Sequence, residues 1–275
     1  MAIVTLTTDF GTQDGYVGAM KGVLLSRAPD ATIVDLTHDV PGHDVVAAAF
    51  ALAQSAPHFP DRTIHVVVVD PGVGGARKPI VVDDGRQLYV GPDNGVLTLA
   101  AASPYAGTWA IEAPGFLADA PSSTFHGRDI FAVCAGRLAA GAAPHEVGPA
   151  IEPAGALPLQ GEHRRDGDSL YARVVHVDRF GNLITDVRAE ELPSSPRFSA
   201  RGERIEGLSE TYESVPRGAL LAYVGSGGTL EIAVREGSAS RELDMARGDA
   251  IEIRGEIRGE IRGATRGAPG AESPS

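Results

Sequence analysis

The sequence predicts an α/β protein in two parts. An N-terminal layered α/β domain surrounds a central, mostly parallel sheet, and a smaller C-terminal domain is antiparallel and barrel-like. Three observations carry this. Short β-rich runs alternate with helical stretches from Ile3 to Ala140, the pattern of strands with crossover helices. Ile64–Val69 is β-branched except at His65 and stops at Asp70-Pro71-Gly72-Val73-Gly74-Gly75, as a strand buried on both faces does. After the polar, turn-rich stretch Gln160–Asp168, further strands follow without long helices between them. The expected domains are 1–162 and 169–254, with a disordered tail over 255–275.

Taken in order, Ile3–Leu6 reads as a strand ending in Thr7-Thr8-Asp9-Phe10-Gly11, and Tyr16–Leu25 as a helix stopped at Arg27-Ala28-Pro29-Asp30. Thr32–Leu36 is a second strand, ending at Thr37-His38-Asp39, and the Ala-rich Val45–Ser55 a second helix. Ile64–Val69 is the third strand. Ile80–Asp83 and Gln87–Val90 flank Asp84-Gly85, a hairpin signal. Helices are expected over Val96–Ala102 and from about Ile130 to Ala140. In the second part the strands are Leu170–Asp178, Leu183–Val187, Leu220–Val224, Leu230–Ala233 and Ala250–Ile253. From Glu252 the unit Glu-Ile-Arg-Gly occurs three times, too short a period for a solenoid, and the Pro/Ser/Gly-rich end suits disorder.

Composition narrows the function classes. The formal net charge of −12 over 275 residues disfavours nucleic acid or an anionic membrane as partner and is compatible with a small cationic ligand. The single cysteine, Cys134, lies in an apolar stretch and reads as a core thiol; it allows no internal disulfide. The first residues show no basic segment followed by a long apolar one, and no apolar run approaches a membrane span, so a soluble, cytoplasmic protein is expected.

Several segments carry chemistry. Asp9, at a strand end beside Gly11, suits hydrogen bonds from a ribose diol, or a plain Asx turn. Asp70, Arg77 and His126 offer a carboxylate, a guanidinium and an imidazole able to orient a water and handle its proton. Individually they read as a turn Asp, a surface Arg and a loop His. Asp178, Phe180 and Asn182 put a carboxylate, an aromatic face and an amide between two strands; Phe180 either stacks on a base or is buried in a turn. Ser226 lies in the Gly-rich strand end Gly225–Gly228, whose amides could cradle a carboxylate. The acidic and His residues show no paired spacing for a metal, and none is expected to be required.

The stretches LTTDFGTQDGYVGAMKGV, THDVP, VVVVDPGVGGAR, YVGPDNGVLT, TFHGRDIFA, VDRFGNLITD and YVGSGGTLEIAV run in order through the chain. Together they resemble the S-adenosylmethionine hydroxide adenosyltransferases, a family related to the fluorinases and chlorinases. The resemblance implies a homotrimer with the substrate between the N-terminal domain of one subunit and the C-terminal domain of the next. By the same resemblance, Asp70, Arg77 and His126 match the water-activating set, Asp9 the ribose carboxylate and Phe180 the residue stacked on adenine. Asp178, Asn182 and Ser226 match polar contacts to adenine and the methionine end; Glu231 and Val234 fall in a segment lining the same pocket. Fluorinases carry Tyr where this chain has Asp70, and Tyr-Ser where it has His126-Gly127; that Ser helps hold the halide, and Gly127 has no hydroxyl.

The implied reaction is attack of water or hydroxide on C5′ of S-adenosyl-L-methionine, giving adenosine and L-methionine with no added cofactor. Arg77 would supply positive field, His126 would hydrogen-bond the water and take or relay its proton, and Asp70 would orient the pair. Two other readings are a chlorinase-like halogenase and a non-catalytic protein that binds adenosine or S-adenosylmethionine.

Overall fold

The computed structural model describes residues 1–101, 107–155, 157, 164–167 and 169–255. The chain divides into two compact units, Met1–Gln160 and Gly161–Ser275. Most of the tail expected to be disordered, 256–275, lies outside the described residues. No described helix is long and apolar enough to cross a membrane.

The first unit runs β1 (Ile3–Thr8), α1 (Tyr16–Leu25), β2 (Thr32–Thr37), α2 (Val45–Ser55), β3 (Ile64–Val68), β4 (Pro79–Asp83), β5 (Leu88–Pro92), β6 (Gly107–Ala110) and α3 (Ala132–Ala139). The sheet order is β2-β1-β3-β5-β4-β6. It is parallel from β2 to β5 and antiparallel where β4 joins β5 and β6. Alternation along β3 explains its β-branched run. Val66 and Val68 enter the core shared with Met20 and Leu24 of α1 and Phe131–Leu138 around α3. Val67 and Val69 enter the opposite core, with Ala47, Ala48 and Leu52 of α2. Both faces are thus dry, as the composition of the run requires.

Two expectations need correcting here. Val96–Ala100 forms turns rather than a helix. Asn94 Oδ1 accepts from the Val96 amide (3.1 Å) while its Nδ2 donates to the Val69 carbonyl (3.0 Å), so the side chain takes over the backbone's hydrogen bonding. The helix expected from Ile130 begins instead as a π-helical turn, Gly127–Phe131, before α3.

His65 is fully buried in β3, with Nδ1 2.8 Å from Thr5 Oγ1 and its ring stacked on Tyr89 at 5.2 Å. Burial pushes its pKa from 6.5 down to about 4. From pH 6.5 down to about 4 the unfolded chain therefore binds a proton that the folded chain refuses, and stability falls as pH falls. Urea titrations across this window should show a loss on the order of 3 kcal/mol assignable to this group. His65→Gln should flatten that part of the slope; an unchanged slope would show that His65 is not its source.

The second unit contains β7 (Arg164–Asp166), β8 (Ser169–Val177), β9 (Leu183–Arg188), β10 (Arg197–Ala200), β11 (Glu203–Glu206), β12 (Leu220–Val224), β13 (Thr229–Val234), α4 (Ala239–Glu242) and β14 (Ala250–Arg254). Its antiparallel sheet has the order β11-β10-β14-β8-β9-β13-β12, with β7 also paired to β8. The Ser209 amide, just past β11, donates to the Ala222 carbonyl in β12 (2.7 Å), drawing the two edges together into a barrel-like form. Part of the stretch expected to be a linker is thus strand β7, and the first Glu-Ile-Arg-Gly unit supplies the end of β14.

Candidate active site

In unit 1, β1 and β3 are parallel neighbours, with Thr8 opposite Val68. The chain places β2 on one side of β1 and β3 on the other, so their carboxyl ends flank a switch point, where open α/β sheets leave a crevice. Asp9 and Asp70 stand just past these ends. The loop after Asp70 then folds back. Arg77 Nε donates to Asp70 Oδ1 (3.0 Å) and Oδ2 (2.9 Å), and Nη2 donates to Oδ2 as well. The glycines make this return possible. Gly74 has φ +74°, and any side chain there would collide with the Ser123 carbonyl of the segment leading to His126.

Arg77 Nη2 also lies 2.7 Å from His126 Nδ1. A guanidinium only donates, so Nδ1 accepts and the neutral imidazole carries its proton on Nε2; the tautomer is assigned from this network. Burial, then the Arg77 charge, holds the His126 pKa below its ordinary value, with Asp70 and Asp129 pulling weakly the other way. Asp129 is held by Arg128 (Nε to Oδ1, 2.6 Å) and the Ser122 amide (2.8 Å), anchoring the π-helical turn that begins beside His126. The side chains of Asp70 and Arg77 are only 4% and 9% exposed.

Asp70 and His126 line a pocket of about 360 Å³ together with Asp9, His43, Val73 and the ring cluster of Phe10, Tyr16 and Phe125. Arg77 stands behind this wall, touching Asp70 and His126. Asp9 Oδ2 accepts from the His43 amide (2.8 Å), leaving Oδ1 without a partner among the described residues. A cavity of about 430 Å³ beside Trp109 and Asp93 is larger but chemically poorer. Its Asp93 carboxylate is already taken by the amides of Ala154 and Gly155, both at 2.9 Å.

In unit 2, Asp178 organises the turn between β8 and β9. Its Oδ1 accepts from the amides of Phe180 (2.9 Å) and Asn182 (2.8 Å), and its Oδ2 from Asn182 Nδ2 (2.8 Å). The turn thrusts Phe180 outward, 74% exposed. Asn182 Nδ2 donates also to Tyr212 Oη (3.0 Å), which lies 2.6 Å from Tyr223 Oη; Tyr223 donates in turn to Glu231 Oε2. Burial raises the Glu231 pKa against the Tyr223 hydrogen bond, and a side chain at Gly225 would occupy the space of its carboxylate. Ser226 is exposed in the next turn. Val234 is 2% exposed and packs in the barrel core.

Sequence reasoning passed over Tyr212, Tyr223, Phe10, Tyr16 and Phe125. The available signal was aromatic residues beside the chosen motifs, in a chain with only 5% aromatic content. Among the described residues, no group of three or more His, Cys, Asp or Glu is arranged to hold a metal ion.

Residues 4–148 match the SAM hydroxide adenosyltransferase N-terminal domain, and residues 172–252 match the corresponding C-terminal domain. The chain is 42% identical over 257 residues to the (R)-S-adenosyl-L-methionine hydrolase of Salinispora arenicola, covering 91% of this chain and 97% of that protein. A fluorinase from Nocardia brasiliensis is 23% identical, covering 92% of this chain and 96% of that protein. The crystal structure of an uncharacterized conserved protein from Thermotoga maritima superposes with a TM-score of 0.81 at 35% identity, covering 92% of this chain and 99% of that one. The ordered motifs, the two matched domains and this similarity along nearly the whole chain make the protein a member of the SAM hydroxide adenosyltransferase family.

Proposed function

We propose that this protein hydrolyses S-adenosyl-L-methionine by attack of water on C5′, releasing adenosine and L-methionine. The observation that carries the reading is Arg77, donating through one nitrogen to both Asp70 and His126 at the wall of the pocket. His126 Nε2–H donates to the water oxygen and stabilises the hydroxide character that develops there. Asp70, which has only acceptors, receives the departing proton and returns it to solvent. The new C5′–O bond forms as the C5′–S bond breaks. Sulfur takes the bonding pair and leaves as the neutral thioether of methionine, so the leaving group needs neither a proton nor a metal. This refines the role expected of His126, whose lone pair is already engaged by Arg77.

Asp9 grips the ribose diol with its free oxygen, Phe180 stacks on adenine, and Asp178, Asn182 and Ser226 bind the base and the methionine end. These residues lie in both units, and the assembly we propose is a cytoplasmic homotrimer whose sites join unit 1 of one subunit to unit 2 of the next. Val73 and Gly127 offer no hydroxyl for a halide, which disfavours halogenation. In water labelled with heavy oxygen, the label should enter the 5′-hydroxyl of adenosine, with or without chloride and after exhaustive chelation. Unlabelled adenosine, a 5′-halo product as the main species, or activity lost on chelation and restored by one divalent ion would overturn it.

A further inference from the structure

His38 has no part in the chemistry above, yet it is buried against the turn Thr8–Gly11 and its ring has a polar neighbour on both sides. Nδ1 lies 2.9 Å from Thr8 Oγ1. Nε2 lies 3.0 Å from Asp35 Oδ1. Asp35 is in turn gripped by Lys21 Nζ of α1 at 2.6 Å. On the other side, Thr8 Oγ1 accepts from the Phe10 amide (3.2 Å), and the His38 carbonyl accepts from the Gly11 amide (2.8 Å). A line of polar contacts therefore runs from α1 through β2 to the turn Thr8–Gly11. That turn carries Asp9, with Gly11 at φ +65°.

We propose that His38 and Thr8 are positioning residues for Asp9: the imidazole clamps the Thr8 hydroxyl, and the hydroxyl holds the Phe10 amide and so aims the Asp9 carboxylate. The inference rests on the reading of Asp9 as the ribose-diol contact. Thr8 and His38 are buried and cannot reach a ligand themselves. Asp9 is oriented from one flank by the His43 amide, and this brace fixes the backbone on the other. Asp35 supports it as an anion. Burial alone would raise its pKa, but Lys21 and His38 together hold it below the usual carboxylate value.

The test compares adenosine with 2′,3′-dideoxyadenosine by calorimetry on the full-length chain. Thr8→Val, which keeps shape and loses the hydroxyl, should weaken adenosine about tenfold and leave the dideoxy ligand within about twofold. Thr8→Ser should restore the wild-type ratio. Equal losses for both ligands, or none, would overturn the proposal by reducing the cluster to a packing feature. If Thr8→Val does not fold, His38→Ala in the same comparison decides. Asp9→Ala is the control for the underlying reading: if it leaves the adenosine preference intact, the diol assignment itself is wrong, whatever Thr8→Val does.

Discussion

Arg77→Met is expected to lower turnover about a thousandfold while adenosine affinity stays within a few-fold of wild type. The guanidinium stands behind the pocket wall rather than on it, so its loss removes little ligand contact. It removes the shared donor of Asp70 and His126. The Asp70 side chain is then left almost wholly covered without its counter-charge. Breaking such a pair costs about 3–5 kcal/mol, so a lower melting temperature should accompany the kinetic loss. His126 Nδ1 is freed at the same time, and the proton is no longer confined to Nε2. Arg77→Lys should recover stability better than turnover, because an ammonium restores charge without the fork that reaches both partners.

The pH profile separates this mechanism from simple misfolding. Protonated His126 cannot accept from Arg77, so activity should fall on the acid side as the imidazole is charged. Its depressed pKa puts that fall below the ordinary histidine value of 6.5. In Arg77→Met one of the two depressing causes is gone, and the acid limb should move partway back toward 6.5. Turnover measured from pH 4 to 8 checks both statements. A limb that stays in place, or binding that falls as far as turnover, would remove Arg77 from the role assigned here.

The second large effect is recovery from nearly nothing. Asp70→Ala and Asn182→Ala chains, each close to inactive alone, should regain activity after subunit exchange. Asp70 lies in unit 1 and Asn182 in unit 2. If a site joins these units from neighbouring subunits of a cyclic trimer, some interfaces in a mixed assembly keep both residues. Random equimolar mixing leaves about a quarter of the sites intact, and specific activity should approach that fraction of wild type. Exchange is followed independently by mass labelling of one chain. Demonstrated exchange without recovery would mean that each site is built within a single chain.

How much of this was legible beforehand differs by element. β3 could be read because its two faces are both buried, and that demand writes a β-branched run broken only by the buried His65. β10 and β11 were passed over because each has only four residues and charged outer positions. Their hairpin turn was nonetheless written in Arg201-Gly202, whose φ values are +49° and +89°. Val96–Ala100 misled because an apolar period cannot reveal that Asn94 will tie that backbone into a turn.

By itself the sequence determined the α/β class, the strands with two buried faces, the family motifs and the residue types that meet at the pocket. Burial and turn chemistry are local enough to leave their mark on neighbouring positions. Only the tertiary structure decided that Arg77 stands behind Asp70 and His126 and therefore which imidazole nitrogen carries the proton. It alone strung Tyr212 and Tyr223 between Asn182 and Glu231. Such facts depend on hydrogen-bond direction between side chains 49 or 30 positions apart. A donor's partner at that separation is chosen by how the chain closes in space.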